Sequence, residues 1–339
     1  MLRILVTGAA GLVGGEVCAR LVERGHKVTA LVHRNAEICR NDGRQVAVAA
    51  AIKGDVSREC LGWDKATYAR VASTHDVLIH CAATVRFDLP EEDYQAVNVG
   101  GTANALALAL AGDMHYLQVS TAYVCGTRNG MIREDDPLPD LGFANGYEAS
   151  KAAGERLVRT SGLRWTIARP SIVVGDSTTG AIRQFDTTYA AFKLIAEGRV
   201  RHMEARAAAT LDFVPIDHVA GGIAALVDAK DQAIGGTYHL VSGQPLPVSH
   251  FTAAIGSYPQ FHEPKLVAPE NFDPDALPAM ERRLYRRVAG LYASYFQRDP
   301  HFDDCGFREV TGLASPQTGE SYIRRLIDYC IQVGFLPPA

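Results

Sequence analysis

Through the first half of the chain, short apolar runs alternate with longer stretches whose apolar positions recur every three to four residues. Residues 2–7, 27–32, 46–52, 77–81, 115–119 and 164–168 show the first pattern and predict strands, the last of them stopped by Pro170. Residues 12–24, 64–73, 94–111 and 147–160 show the second pattern and predict helices. This alternation predicts an α/β fold with a doubly wound parallel sheet, because parallel neighbours need crossover connections and their helices cover both faces. Beyond Gly175 the alternation stops, leaving a strand at 237–241 and many turn signals between 242 and 278. The chain is therefore read as a sheet domain at 1–175 and a smaller lobe at 176–339 capping the sheet's C-terminal edge. Part of 205–230 is expected to pack back on the sheet domain.

Composition narrows the picture. A chain of 339 residues, 47% of them hydrophobic, can bury a large core. A net charge of −4 excludes general nucleic-acid binding. No apolar run reaches the roughly 18 residues of a membrane span, and Met1-Leu2-Arg3 leads straight into the first strand. The reading is a chain without span or leader, located in the cytoplasm. The cysteines at 18, 39, 60, 81, 125, 305 and 330 form no CxxC pair and no Cys/His cluster. That pattern fits a reducing compartment and no metal, with Cys18 and Cys81 as small core residues.

Chemistry starts at the first turn. Gly8, Gly11 and Gly14 follow a strand and open a helix, the setting a dinucleotide-binding loop requires. Gly8 permits the tight turn, Gly11 lets backbone N–H groups approach a pyrophosphate, and Gly14 lets the helix pack closely. Further on, Tyr147 and Lys151 stand four residues apart on one helical face, one strand–helix unit after Ser120-Thr121. A phenol titrates near ~10, and a neighbouring ammonium would lower that value. Tyr147 is thus a candidate proton donor to a carbonyl oxygen receiving hydride, with a strand-five hydroxyl binding the same oxygen.

The glycine loop, Asp55, Asn98-Val99-Gly100-Gly101-Thr102, Ser120-Thr121 and Tyr147…Lys151 together resemble the extended short-chain dehydrogenase/reductase superfamily. The resemblance implies a Rossmann fold, a nicotinamide dinucleotide and a Ser/Thr-Tyr-Lys site. It places the hydroxyl at Thr121, with Ser120 second, and has Lys151 hold the cofactor ribose. Cofactor contacts would come from Thr7, Gly8, Gly11, Leu12, Val13 and Gly14. Asp55 would face the adenine, with Val56, Ala82, Ala83, Thr84, Asn98, Tyr147, Lys151, Pro170, Ile172 and Val173 completing the set. The phrases Val119-Ser120-Thr121-Ala122-Tyr123-Val124, Gly146 to Lys151 and Ala168 to Gly175 are similar to the male-sterility-type branch of fatty acyl-CoA reductases and thioester reductases. That branch implies reduction of an acyl thioester, on coenzyme A or an acyl carrier protein, to an aldehyde or alcohol. Alternatives are a ketone or alcohol oxidoreductase of steroid- or flavonoid-reductase type, then a sugar-nucleotide epimerase or dehydratase. A non-catalytic NADP sensor would have no need of Tyr147 and Lys151. A dimer is a habit of the superfamily.

The second strand ends at His33-Arg34 with no acidic residue to meet a ribose 2′-OH, so NADP(H) is expected rather than NAD(H). His80 reads as a core histidine, and Asp217-His218 as the cap of a helix. Arg86 and Phe87 follow the strand-four loop and either border the substrate or form ordinary loop. Residues 281–296 read as an amphipathic helix over the smaller lobe. A sharper alternative makes it an acyl lid whose Arg282, Arg283, Arg286 and Arg287 meet phosphopantetheine, coenzyme A or an acidic carrier.

Overall fold

The computed structural model describes residues 1–339, the side chain of Thr187 excepted. Its centre is a seven-stranded parallel sheet built from β1 (Arg3–Thr7), β2 (Lys27–Val32), β3 (Ala50–Lys53), β4 (Val77–His80), β5 (His115–Val119), β6 (Trp165–Pro170) and β7 (Thr237–Leu240). The strand order is β7-β6-β5-β4-β1-β2-β3, with the order reversing beside β1. Ligands of such sheets bind at that reversal, outside the carboxyl ends of the strands.

Alternation along each strand feeds two separate cores. Ile4 and Val6 of β1 and Val77 and Ile79 of β4 face α1 (Leu12–Glu23). Leu5 and Leu78 face the opposite way, towards α2 (Lys65–Thr74) and α3 (Gly101–Ala111). Helix α4 (Gly146–Arg159) also joins this second face through Val158. On the first face α1 is joined by α6 (Ile216–Asp228), whose Val219, Ala220, Ile223 and Val227 enter the same core. The helix just before α6 in sequence, α5 (Thr187–Ala196), belongs to a third core instead. That core also takes in Val248–Gly256 and α7 (Glu320–Gln332).

Several elements differ from their sequence reading. β3 is only Ala50–Lys53, because residues 38–49 are spent elsewhere. There, Asn41 N donates to Glu16 of α1 (2.8 Å) and Cys39 bridges Gln45. β6 runs through Pro170 rather than stopping before it, and Pro170 pairs with Leu240 at the strand end. The helix at 94–111 starts at Glu91 and carries a π-helical turn, Gln95–Gly100, before α3. The amphipathic stretch at 281–296 is helical as read, but irregular: Ala279–Leu284 runs through a π turn Tyr285–Ala289 and Gly290–Tyr292 into a 3-10 turn ending at Phe296. Asp217 caps nothing on α6, whose N-cap is Pro215; it accepts from Ser177 N (2.8 Å) and Oγ instead.

The C-terminal helix ties the two halves together. Tyr322 donates its hydroxyl to Gly175 O, and Arg325 donates to Ser177 O (2.6 Å), so α7 holds the loop that follows β6. Among the described residues no helix is long and apolar enough to cross a membrane.

Candidate active site

One cavity of about 420 Å³ lies at the carboxyl ends of the central strands. The glycine loop, the ends of β5 and β6, α4 and the aromatic residues of the second half all contribute to its wall. Gly8 has φ +65, and a Cβ there would stand 2.7 Å from Ala82 N, so only glycine fits the turn. A Cβ on Gly14 would lie 2.2 Å from Gly8 O, the closeness with which α1 starts against its own loop. Helix α1 begins at Gly11 with no side chain capping it. Its first N–H groups are therefore available to an anion in the cavity, where the helix dipole favours negative charge. This bare cradle fits a dinucleotide pyrophosphate.

Beyond β5, Thr121 opens the short turn Ala122–Cys125, its Oγ1 accepting from Tyr123 N (3.3 Å). Its side chain lines the cavity beside Tyr147, and its hydroxyl favours the phenolate form of that residue. Asn145 caps α4 by accepting from Glu148 N (2.9 Å), which fixes the first turn that carries Tyr147. Burial pushes the Tyr147 phenol above its ordinary pKa; the Glu148 charge adds to this, the Thr121 hydroxyl opposes it, and the Asp186 charge adds a little more. Lys151 does not lower it as the spacing suggested. Its Nζ donates to Val119 O (2.6 Å), and burial brings its own pKa down to about 8 against the pull of Glu155. Tyr147 thus stands as a neutral hydrogen-bond donor.

Of the residues named from sequence, Gly8, Gly11, Leu12, Val13 and Gly14 line the cavity. So do Ala83, Ser120, Thr121, Tyr147, Lys151, Pro170, Ile172 and Val173. Others stand behind it. Thr7 Oγ1 lies 2.9 Å from His80 Nδ1 and accepts from Ala82 N (3.2 Å). Asn98, in the π turn, donates to Ser150 Oγ (2.9 Å) and Thr84 O and accepts from Thr84 N, pinning the loop after β4 to α4. His33 lies 3.5 Å from Asp55, which also accepts from Ser57; Arg34 beside it is exposed. Val56 packs against the start of α3 at Gly101. Ala82 and Thr84 lie outside the lining. Ser120 is buried beside Glu155. Burial works against that carboxylate, but Arg169 and, more weakly, Ser120 hold it below its usual range.

His80 is fully buried and held near a pKa of about 3 by burial, then by Lys151, in keeping with a core histidine. Cys18 is buried, but Cys81 departs from its reading by lining the cavity, its thiol pushed up to about 12 by burial. Arg86 pairs outward with Asp88, whereas Phe87 faces the cavity between Tyr147 (5.7 Å) and Tyr292 (5.3 Å). Tyr292, Tyr295 and Phe296 of the stretch read as an acyl lid also line it, whereas sequence reasoning missed Phe192, Phe213, Phe251 and the carboxyl of Asp186. The only local signal for Asp186 was an acidic residue just before an apolar helix.

Known proteins are similar to this chain in sequence and fold. Residues 6–223 match the family described as "Male sterility protein", an NAD-binding family. The L-2-aminoadipate reductase large subunit of Penicillium chrysogenum is 29% identical over 75% of this chain and 20% of its own. The carboxylic acid reductase of Mycobacterium tuberculosis is 33% identical over 56% of this chain and 18% of its own. This chain therefore spans about a fifth of the length of these curated relatives. The crystal structure of the terminal R domain from the myxalamid PKS-NRPS biosynthetic pathway superposes with a TM-score of 0.85 at 27% identity. That superposition covers 99% of this chain and 92% of that one.

Proposed function

The chain belongs to the male sterility protein family of NAD-binding extended short-chain dehydrogenase/reductases, and from that premise we propose that it reduces an acyl thioester with NADPH. The product is an aldehyde, or an alcohol after a second round. The observation that carries this reading is the shared cavity: the bare glycine cradle, the Thr121–Tyr147 hydroxyl pair and an extended apolar wall open on one space.

A bound nicotinamide would supply the hydride. The glycine loop and the N-terminus of α1 would hold its pyrophosphate, Lys151 a ribose and Asp55 the adenine end. Arg34, exposed and with no ion pair among the described residues, would meet the 2′-phosphate that sets NADPH apart from NADH. Tyr147 and Thr121 would donate hydrogen bonds to the thioester oxygen as it gains charge, and Tyr147 would then protonate it to a hemithioacetal. A phenol kept neutral by burial suits that role. In this reading residues 1–175 hold the cofactor and 176–339 hold the acyl group.

The carrier side of the substrate would be met by the segment 279–296. Its Tyr292, Tyr295 and Phe296 face the cavity, while Arg283, Arg286 and Arg287 are exposed, Arg286 pairing with Asp275. That pairing of faces supports an anionic carrier, either coenzyme A or an acidic acyl carrier protein. The deciding experiment follows NADPH oxidation against acyl-CoA and carrier-bound thioesters, ketones and aldehydes, with Tyr147→Phe as control. Thioester turnover with aldehyde or alcohol product, reduced about 10²-fold or more in the variant, is expected. Turnover of ketones alone would move the protein to a carbonyl-reductase reading.

A further inference from the structure

Asp186 is the one carboxylate among the described residues that line the cavity. It lies immediately ahead of α5, at the end of a segment that crosses the glycine loop. Arg183 donates to Gly11 O (3.1 Å) and its own N–H donates to Asn41 Oδ1 (3.0 Å), so the position of Asp186 three residues later is anchored. The side chain is open to the cavity by surface area, yet protein packs closely enough around it to desolvate the carboxyl and push its pKa up to about 6. It lines the same cavity as Thr121, Tyr147 and Lys151, so it opens on the space where the hydride acceptor would sit.

On the thioester reading, from which this step follows, the reaction has a second half that Tyr147 alone cannot complete. A hemithioacetal must expel a thiol. Alkyl thiols titrate near about 8.5 or above, so departure as a bare thiolate into an apolar pocket is unfavourable near neutral pH. Other proton sources in the wall are committed. Lys151 donates to Val119 O, Ser171 donates to Asp212, and burial raises the phenols of Tyr123, Tyr189 and Tyr295 and keeps the proton on Cys81.

We propose that Asp186 is the general acid for the departing thiol. The hemithioacetal O–H returns its proton to the Tyr147 oxygen as the C=O bond forms. The C–S bond breaks with its electron pair going to sulfur, and Asp186 gives sulfur a proton. The products are one aldehyde and one thiol, with no net redox change in the step; the Asp186 carboxylate then recovers its proton from water.

The test is Asp186→Asn in the full chain, with Asp186→Glu beside it, following NADPH loss and thiol release together in single turnovers. In the parent protein thiol release should keep pace with NADPH oxidation. In Asp186→Asn it should lag by about 10²-fold, the typical contribution of a positioned acid. The lag should shrink when an aryl thiol replaces the alkyl one, because a thiol of lower pKa leaves unaided, and Asp186→Glu should recover part of the rate. Thiol release in step with NADPH oxidation in Asp186→Asn, or a lag equal for aryl and alkyl thioesters, overturns the role. A parent protein that consumes NADPH with aldehydes or ketones but with no thioester overturns the thioester reading itself, and the role of Asp186 with it.

Discussion

The guanidinium of Arg298 meets the carboxylate of Glu148 across 150 positions of chain, in a buried ion pair next to Tyr147. Arg298 also donates to Gly126 O (2.8 Å) and lies 4.7 and 4.6 Å from the rings of Tyr123 and Tyr295. The pair therefore joins the first turn of α4 to the aromatic wall. Arg298→Met leaves Glu148 buried without its counter-charge and should cost about 3–5 kcal/mol of stability. Glu148→Gln in the same chain should restore part of it. Urea denaturation of the two single variants and the double variant checks both; equal and additive losses would argue that the pair is not coupled.

Gly14→Ala should weaken dinucleotide binding by about 10-fold or more, since its Cβ would stand 2.2 Å from Gly8 O and force α1 off the loop. Gly25→Ala makes a useful contrast. Its φ of +79 brings strain, but nothing lies within 4 Å of an added Cβ there. It should lower the melting temperature and leave the dissociation constant for NADPH as it was, which equilibrium titration would read.

Arg34→Ala should raise KM for NADPH by about 10-fold and scarcely alter KM for NADH, because only NADPH carries the 2′-phosphate that Arg34 would meet. Raising the ionic strength should narrow the difference between the cofactors in the parent protein. Comparable turnover with both cofactors before any substitution would remove Arg34 from the site.

Burial brings Lys151 down to about 8, while Glu155 and then Cys81 pull the other way. Its ammonium is therefore present below pH 8 and lost as pH rises through that value in the free protein. The value of kcat/KM for NADPH should accordingly fall on the alkaline side, with its midpoint near pH 8. Lys151→Arg keeps the charge at every accessible pH and should remove that limb, even where it lowers the plateau.

The sheet was legible because each strand alternates between two cores: Ile4 and Val6 face one way and Leu5 the other, and period-two patterning reports that directly. Tyr147, Lys151 and the glycines were legible because their chemistry depends on short spacings within single elements. The rest depends on contacts between distant segments. Residues 46–48 look like strand, yet Val46 N donates to Ile38 O (2.8 Å) and Gln45 bridges Cys39, folding them back locally, so the sheet is reached only from Ala49 N to Val28 O (2.9 Å). The arginine-rich stretch at 281–296 is helical as its spacing predicts, but a π turn at Tyr285–Ala289 and a tighter last turn change its winding, and Tyr292 and Tyr295 face the cavity. Asp186 carries no motif; its meaning comes from the absence of other carboxylates in the wall it joins.

Helix α7 gives the cavity two of its wall residues, Ile323 and Leu326, and clasps Gly175 through Tyr322. On a ribosome, the glycine loop, β5 and Tyr147 emerge long before residues 320–332. The nascent chain thus completes the parts that would recognise a dinucleotide well ahead of those that enclose an acyl group. Residues 320–332 are thus the part of the described chain that finishes a wall the dinucleotide-cradling elements do not need.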